Sequence, residues 1–366
     1  MKARKVKDRI YWMGSVDWDR RLFDSLVPLP DGTTYNAYLI EGSEKTVLLD
    51  SVDPPMADEL LSQLEGVSKI DYVVSHHAEQ DHSGTIPQVL AKYPDAKDGE
   101  TISLGDKTLQ FIHAPWVHWP ETMVTYLEED KILFSCDFFG SHIATTDLFV
   151  ADEGRVYEAA KRYFAEIMMP FRNVIAKNLE KLASYDIEMI APSHGQIYPR
   201  PSFIIDAYRD WILGPPRNTV VLPYVSMHES TKQMVDYFVS ALVERGVRVE
   251  QFNLEVTDIG KLAMALVDAA TIVVGTPTIL AGPHPYAAYA AFLANALRPK
   301  TKFLSIIGSY GWGGKTVETL AGMIPNLKVE VIDPVLCKGV PSEVDFKALD
   351  GLAGAIAEKH KEHNFV

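Results

Sequence analysis

The sequence predicts an α/β protein in two domains: sheets covered by helices, followed by a doubly wound parallel sheet. Three observations carry this. The first half places short strands ahead of helices and returns to a strand at Ile187–Ala191. The adjacent Pro215 and Pro216 break the chain, because two prolines cannot continue a helix and they stiffen a linker. After them, strands and helices alternate regularly, the flavodoxin-like rhythm. The expected domains are 1–215 and 219–366.

In the first half, Thr34–Ile40 and Lys45–Asp50 read as strands paired around the turn Glu41-Gly42-Ser43. Asp71–Ser75 is an apolar run with the length of a buried strand, and Gly84–Tyr93 reads as a helix. Lys107–His113 is a further strand. Thr122–Leu127 and Lys131–Ser135 form a hairpin around Glu128-Glu129-Asp130, and helices follow near Val156–Met168 and Val174–Tyr185. In the second half the strands are Thr219–Ser226, Arg248–Leu254, Thr271–Gly275, Lys302–Gly308 and Lys328–Ile332. Helices Thr231–Arg245, Asp258–Asp268, Tyr286–Leu297 and Lys315–Ile324 separate them, and Asp345–His360 closes the chain.

Composition narrows the function. The 366 residues are 47% hydrophobic and 23% charged, as in a folded globular protein. A net charge of -14 makes a phosphate backbone a poor partner, so nucleic-acid binding is not expected. Two cysteines, Cys136 and Cys337, exclude a disulfide framework and a CxxC metal site. The N-terminus MKARKVKDRIYW lacks the apolar core of a signal peptide, and no run reaches the roughly 18 apolar residues of a membrane span. A cytoplasmic protein is expected.

The stretch HHAEQDHSG, His76 to Gly84, sits directly behind the strand at 71–75. Its core, His77-x-Glu79-x-Asp81-His82, packs two imidazoles and two carboxylates into six residues, which is costly without cations. His118, Asp137 and His194 also lie at or beyond strand ends. A lone histidine or a strand-end aspartate is ordinarily structural. Together, if the strands share a sheet, these seven groups meet at one rim and suffice for two metal ions with Asp137 between them. Glu79 gives the choice of metal. Histidine there would make a nitrogen-rich site suited to zinc. A hard carboxylate oxygen favours iron cycling between ferrous and ferric. His76 points away from His77 and reads as an outer or surface residue, and His113 and His142 read as non-ligands.

A second constellation lies in the second half. Ser226-Met227-His228-Glu229-Ser230-Thr231 joins a strand to a helix, where hydroxyls and amides seat an anion. It lacks the lysine of a Walker loop and suits a single phosphate, as in FMN. Thr276-Pro277-Thr278-Ile279 and Ser309-Tyr310-Gly311-Trp312-Gly313 follow the third and fourth strands, at the edge where such sheets bind ligands. The glycines let backbone approach an isoalloxazine ring, and Tyr310 or Trp312 can stack on it.

Taken together, the chain resembles the flavodiiron proteins, or A-type flavoproteins. The resemblance spans nearly the whole length and rests on His77-x-Glu79-x-Asp81-His82, His118-Trp119-Pro120-Glu121-Thr122-Met123, Ser135-Cys136-Asp137, Pro192-Ser193-His194-Gly195 and Tyr310-Gly311-Trp312, with Thr34-Tyr35-Asn36-Ala37-Tyr38-Leu39 near the start. It implies a metallo-β-lactamase-like αββα sandwich followed by a flavodoxin-like domain. It implies two non-haem iron ions per chain, FMN, and a head-to-tail homodimer or dimer of dimers. His77, Glu79 and His118 would hold one iron, Asp81, His82 and His194 the other, with Asp137 bridging.

The implied activity is reduction of dioxygen to water, of nitric oxide to nitrous oxide, or both. Electrons would come from a separate donor: a rubredoxin-like protein, a flavin reductase or a reduced deazaflavin coenzyme. Members often carry Trp or Tyr at His228 and a small or polar residue at Glu229. They also carry a further strand and helix between Asp95 and Gly99, so the chain either lacks a βα unit at Lys97-Asp98 or omits residues there. The alternative reading is a zinc hydrolase of the same fold fused to a flavodoxin-like domain, which Glu79 disfavours.

Overall fold

The computed structural model describes residues 2–93 and 101–365, so the segment around Lys97-Asp98 lies outside the described residues. The chain divides into two compact units, Met1–Phe164 with Phe171–Ile212, and Ala165–Pro170 with Leu213–Val366.

The first unit holds strands β1 (Arg4–Lys7), β2 (Ile10–Trp12), β3 (Ser15–Asp17), β4 (Leu22–Phe23), β5 (Val27–Pro28), β6 (Thr33–Tyr35), β7 (Tyr38–Glu41), β8 (Thr46–Leu49) and β9 (Tyr72–Val74). After them come β10 (Thr101–Ser103), β11 (Thr108–His113), β12 (Met123–Leu127), β13 (Ile132–Cys136) and β14 (Met189–Pro192). Its helices are α1 (Ala57–Gln63), α2 (Gln80–Ser83), α3 (Ile86–Lys92), α4 (Glu153–Tyr163), α5 (Arg172–Leu182) and α6 (Pro201–Leu213).

Two five-stranded sheets result, in the orders β1-β2-β7-β8-β9 and β10-β11-β12-β13-β14. The two-residue period of a strand explains why both faces of the first sheet are apolar. Tyr38, Ile40, Val47 and Leu49 point into a core shared with Leu109, Leu127, Ile132 and Phe134 of the second sheet. The alternate residues Leu39 and Leu48 pack with Leu60, Leu64 and Val89 from α1, α3 and their flanks. On α4, Val156, Ala159, Ala160 and Tyr163 are buried, the spacing of one helix face, and Asp152 caps its N-terminus by accepting from the Arg155 amide.

Several expectations need correcting. The strand placed over Thr34–Ile40 is two strands: β6 pairs with β3, while β7 pairs with β2 and β8. Asn36 interrupts them, because its side chain crosses to other segments. The helix drawn from Gly84 starts at Ile86, and that drawn through Met168 ends at Tyr163 and continues as a π turn, Phe164–Met168. Helices α1 and α6 and the strands before Thr33 were not expected. In α6, Ile204, Ala207, Tyr208, Trp211 and Ile212 are buried at helical spacing behind a first-turn proline.

The second unit alternates β15 (Arg217–Tyr224), α7 (Ser230–Glu244), β16 (Arg248–Asn253), α8 (Ile259–Leu266), β17 (Ala269–Ile279), β18 (Gly282–Pro283), α9 (Pro285–Leu297), β19 (Phe303–Tyr310), α10 (Thr316–Gly322), β20 (Glu330–Val331), β21 (Val335–Lys338) and α11 (Glu343–Glu362). The main sheet runs β16-β15-β17-β19-β20 with parallel pairing throughout, the doubly wound order with its switch beside the first strand. The expected last strand, Lys328–Ile332, contains β20, but the sheet edge goes on to a second short piece, β21, beyond that span. β20 pairs with Phe303 and Leu304, and β21 with Ile307 to Tyr310. Pro334 lies between them and has no N–H to donate to a ladder. Met234, Val235 and Phe238 of α7 meet Leu349, Leu352 and Ile356 of α11 over one face of the sheet.

His360 of α11 is buried against that sheet. Its Nε2 lies 2.7 Å from Thr271 Oγ1 and its Nδ1 2.8 Å from Asn218 Oδ1. Burial, with His363 adding to it, lowers its pKa from 6.5 to about 4. Between those values the unfolded chain takes up a proton that the folded chain refuses. Stability should therefore fall as pH drops through this window and level off below it. His360→Gln should flatten that dependence, read from urea midpoints between about pH 7 and about pH 4.

Candidate metal centre and cofactor pocket

The metal-motif residues come from two sheets, not one. His77 and Glu79 follow β9 of the first sheet, and Asp81 and His82 lie on the short helix α2 rather than in an open loop. His118 lies between β11 and β12, Asp137 directly after β13, and His194 two residues after β14, all beside strands of the second sheet. The sandwich brings the C-terminal ends of β9, β13 and β14 to one place, and all seven side chains meet there.

They meet as two groups that share one residue. His77 Nε2 lies 3.1 Å from Glu79 Oε2 and 3.3 Å from Asp137 Oδ2. His118 Nε2 lies 3.1 Å from the same Glu79 oxygen and 3.2 Å from the same Asp137 oxygen. The other oxygen of Asp137, Oδ1, lies 3.1 Å from His82 Nε2 and 3.4 Å from His194 Nε2. Asp81 completes that second group, with Oδ1 3.4 Å from His82 Nε2 and Oδ2 3.1 Å from His194 Nε2. His82 is also near the first group: one ligand atom each from His77, Glu79, His82 and Asp137 lie within 4.8 Å of one another.

These separations fit cations. Ligand atoms about 2.1 Å from one ion, at octahedral or tetrahedral angles, stand about 3.0–3.4 Å apart. Both Asp81 oxygens, His82 Nε2 and Asp137 Oδ1 are buried without a hydrogen-bond partner, an arrangement that needs compensating charge. The electrostatics agree. Burial pushes the Asp137 carboxyl up, but His82 and His77 hold it well below the usual range. Burial lowers His82, yet Asp81 and Asp137 push it up to about 9. Burial likewise opposes charge on His118, while Asp137 and Glu79 push it up to about 9. The carboxylates thus recruit positive charge from whatever can supply it.

The groups behind the centre were only partly foreseen. His194 Nδ1 donates to the Thr34 carbonyl at 2.7 Å, and the Gly195 amide donates to Thr34 Oγ1 at 2.7 Å. Asn36 Nδ2 donates to the carbonyls of Pro192 and Gly195, both at 2.9 Å. Asn36 and Thr34 were thus missed as supports, and the signal was a polar residue inside an apolar strand. His77 Nδ1 faces Cys136 Sγ at 3.1 Å. Cys136 adopts a left-handed conformation, φ 53°, which costs a non-glycine residue about 1–2 kcal/mol. His76 is not at the surface: it is buried, with Nδ1 on Asp50 and Nε2 2.7 Å from Thr125 Oγ1. His113 is exposed, while His142 is buried with its ring 4.7 Å from that of His194 and Nδ1 2.8 Å from Thr33 Oγ1.

The second constellation forms a cavity of about 350 Å³ in the second unit. Its lining includes the residues of the three loops except Glu229, Thr276 and Gly313, and adds Leu280 and Gly339. Thr276 is fully buried, and its hydroxyl accepts from the His284 amide instead. Ser226 Oγ accepts from the Lys232 amide at the start of α7, and Thr231 and Ser309 hydroxyls meet at 3.0 Å across the cavity floor. Glu229 is exposed and left-handed; its carbonyl accepts from the Gln233 amide, while its side chain makes no capping hydrogen bond and does not occupy the anion seat. Among the described residues, no helix is long and apolar enough to cross a membrane.

Comparison with known proteins agrees with this geometry. Residues 88–195 match the family described as "ODP family beta lactamase". The chain is 36% identical to a nitric oxide reductase of Moorella thermoacetica, over 89% of this chain and 90% of that protein. The structure resembles that of rubredoxin oxygen:oxidoreductase from the anaerobe Desulfovibrio gigas, with a TM-score of 0.94, 30% identity and 99% of each chain covered. It also resembles the flavodiiron protein of Giardia intestinalis, with a TM-score of 0.88, 25% identity and 98% of each chain covered. With two sheets meeting at a double histidine–carboxylate centre and a doubly wound unit bearing an FMN-sized pocket, the chain belongs to the flavodiiron protein family.

Proposed function

We propose that His77, Glu79, His118, Asp81, His82, His194 and Asp137 hold two non-haem iron ions in the 1–215 domain. The loops at 226–231, 277–279 and 309–312, with Glu229 turned outward, hold FMN in the 219–366 domain. The protein is an oxidoreductase that reduces dioxygen to water and/or nitric oxide to nitrous oxide. The observation that carries the metal assignment is Asp137, whose two oxygens are divided between two histidine–carboxylate groups at 3.1–3.4 Å.

Held by these residues, two ferrous ions and one reduced flavin would supply the four electrons that, with four protons, convert dioxygen to two waters; two electrons and two protons would convert two nitric oxide molecules to nitrous oxide and one water. The protein's own residues set the conditions. Glu79, Asp81 and Asp137 contribute three anionic carboxylates, which favour the ferric state more than an all-imidazole shell would. Asp81 and Asp137 are buried and Glu79 is half-buried, which limits the access of bulk water to the ligand positions. The hydroxyls of Ser226, Ser230 and Thr231 and the amides opening α7 seat the phosphate, while Tyr310 and Trp312 offer aromatic faces at the lip.

Pairing of two copies head to tail would bring each pocket against the partner's metal centre. Exposed Met227, Leu280 and Trp312 at the pocket, and exposed Leu22, Leu26 and Trp116 in segments flanking the metal centre, are the apolar surface such a pairing would cover. Electrons would enter from a separate rubredoxin-like protein, flavin reductase or reduced deazaflavin coenzyme. The zinc-hydrolase alternative leaves Glu79 and the flavin pocket without a purpose.

Anaerobic stopped-flow mixing of the reduced, iron-loaded protein with dioxygen or nitric oxide tests the proposal. Flavin should reoxidise far faster than free reduced FMN, without peroxide release. Reoxidation at the free-flavin rate with both gases, at full iron content, would overturn it.

A further inference from the structure

Cys136 has a side chain where glycine would sit more easily. The pairing of β13 with β14 slips register between Phe134 and Cys136. At the slip Cys136 turns left-handed, φ 53°, and its carbonyl accepts from the Ser193 amide at 2.8 Å. Such a bulge re-aims the side chains that follow it. Here it delivers two consecutive residues to the same centre: the Asp137 carboxylate between the two groups, and the Cys136 thiol behind His77. Left-handed strain at a non-glycine residue persists where the side chain is used. The thiol is 1% exposed, so solvent does not compete for its contact.

The contact has a defined sense. His77 presents Nε2 to Glu79 and Asp137. A metal on Nε2 leaves the ring proton on Nδ1, so Nδ1–H donates and Sγ, 3.1 Å away, accepts. On the other side of the centre, His194 Nδ1 donates to a peptide carbonyl at 2.7 Å. Sulfur is the weaker acceptor, so it draws less proton density from its imidazole than an oxygen does. The two histidines are therefore unequal donors to their metals, although both are neutral imidazoles.

We propose that Cys136 is a positioning residue for the metal centre. Its buried thiol fixes the tautomer and ring of His77. As a soft acceptor, it would also leave the metal held by His77 more easily reduced than an oxygen acceptor in the same place would. This rests on the diiron reading for the reduction part, and only on the seven-residue cluster for the positioning part.

The test compares Cys136→Gly, Cys136→Ala and Cys136→Ser with the unaltered full-length chain. Cobalt(II) and iron(II) binding are measured by chelator competition, and the two one-electron steps of the iron-loaded protein by redox titration followed by electron paramagnetic resonance. Glycine and alanine should weaken one of the two sites by about 10- to 100-fold. Serine, which retains an acceptor, should recover most of that affinity and move one reduction step to lower potential. Urea midpoints serve as the check on folding, and the serine variant keeps the test valid if glycine loosens the turn.

If the thiol merely fills space, Cys136→Gly relieves the left-handed residue and binds both metals as well as the parent or better. That outcome, with both reduction steps unmoved in all three variants, would overturn the proposal. The cobalt measurement reads the His77 contact regardless of redox chemistry. If the parent gives only free-flavin reoxidation while the cobalt sites still respond to Cys136, the gas-reduction reading fails and the positioning role stands.

Discussion

Asp137→Ala is expected to leave the protein with less than one tightly held metal ion per chain, and to slow gas-driven flavin reoxidation by more than about 100-fold. Substituting a residue behind a metal ligand ordinarily costs about 10- to 100-fold in affinity or activity. Asp137 is closer than that. Its Oδ2 stands with His77 and His118, and its Oδ1 with His82 and His194, all at 3.1–3.4 Å. Alanine removes an anionic oxygen from both groups at once and brings four imidazoles together around a reduced negative charge. Metal analysis after gel filtration reads the first effect and stopped-flow mixing the second. FMN content should hold, because the flavin pocket is built from residues of the other unit. Two firmly bound irons in Asp137→Ala would show that the carboxylate does not join the ions.

Gly308→Ala should be as damaging to the flavin unit. Gly308 pairs with Thr276 across β19 and β17. A Cβ at Gly308 would lie 2.0 Å from the Thr276 carbonyl oxygen, and that oxygen belongs to backbone and cannot swing aside. The two central strands must part, at a cost of about 3 kcal/mol, the upper range for overpacking. Both loops that follow these strands line the pocket, so FMN should be lost along with stability. Gly351→Ala is the matched control. It lies inside α11, and its added methyl meets no heavy atom within 4 Å. There alanine should stabilise by up to about 1 kcal/mol and leave FMN bound. Flavin-to-protein ratio and urea midpoints for both variants decide the matter. Full flavin content and an unchanged midpoint in Gly308→Ala would contradict the strand geometry.

The sequence was most legible where chemistry is dense. His77, Glu79, Asp81 and His82 crowd six positions with groups that no apolar core accepts, so their spacing alone pointed to cations. The regular alternation after Pro216 similarly exposed the doubly wound unit, because a parallel sheet needs a crossover between successive strands. What escaped was structure specified by distant partners. Thr34–Ile40 is apolar enough to read as one strand, yet Asn36 divides it to reach Pro192 and Gly195. Nothing near Asn36 in the sequence announces those partners. The last strand of the second unit was read only in part: β20 lies inside Lys328–Ile332, but Pro334 separates it from β21, and both pieces are shorter than any periodicity can register. Helix α6 did carry a signal, a proline start and apolar residues at helical spacing, but Pro192 through Pro201 hid it among turn residues. The Cys136 contact was invisible for a simpler reason: thiol and imidazole are 59 positions apart.

The clasp that Thr34 and Asn36 place on the 192–195 loop also bears on how the protein is made. A nascent chain leaving the ribosome presents His77 through His82 long before His194 exists. Cations met at that stage find one half of a binding site and no partner on the opposite wall. The second group, which needs His194, cannot capture a cation firmly until synthesis has passed Gly195 and the early segment has closed over it. Maturation of the inorganic centre is thereby tied to completion of the first unit, and metal released from a stalled or truncated product should exchange freely.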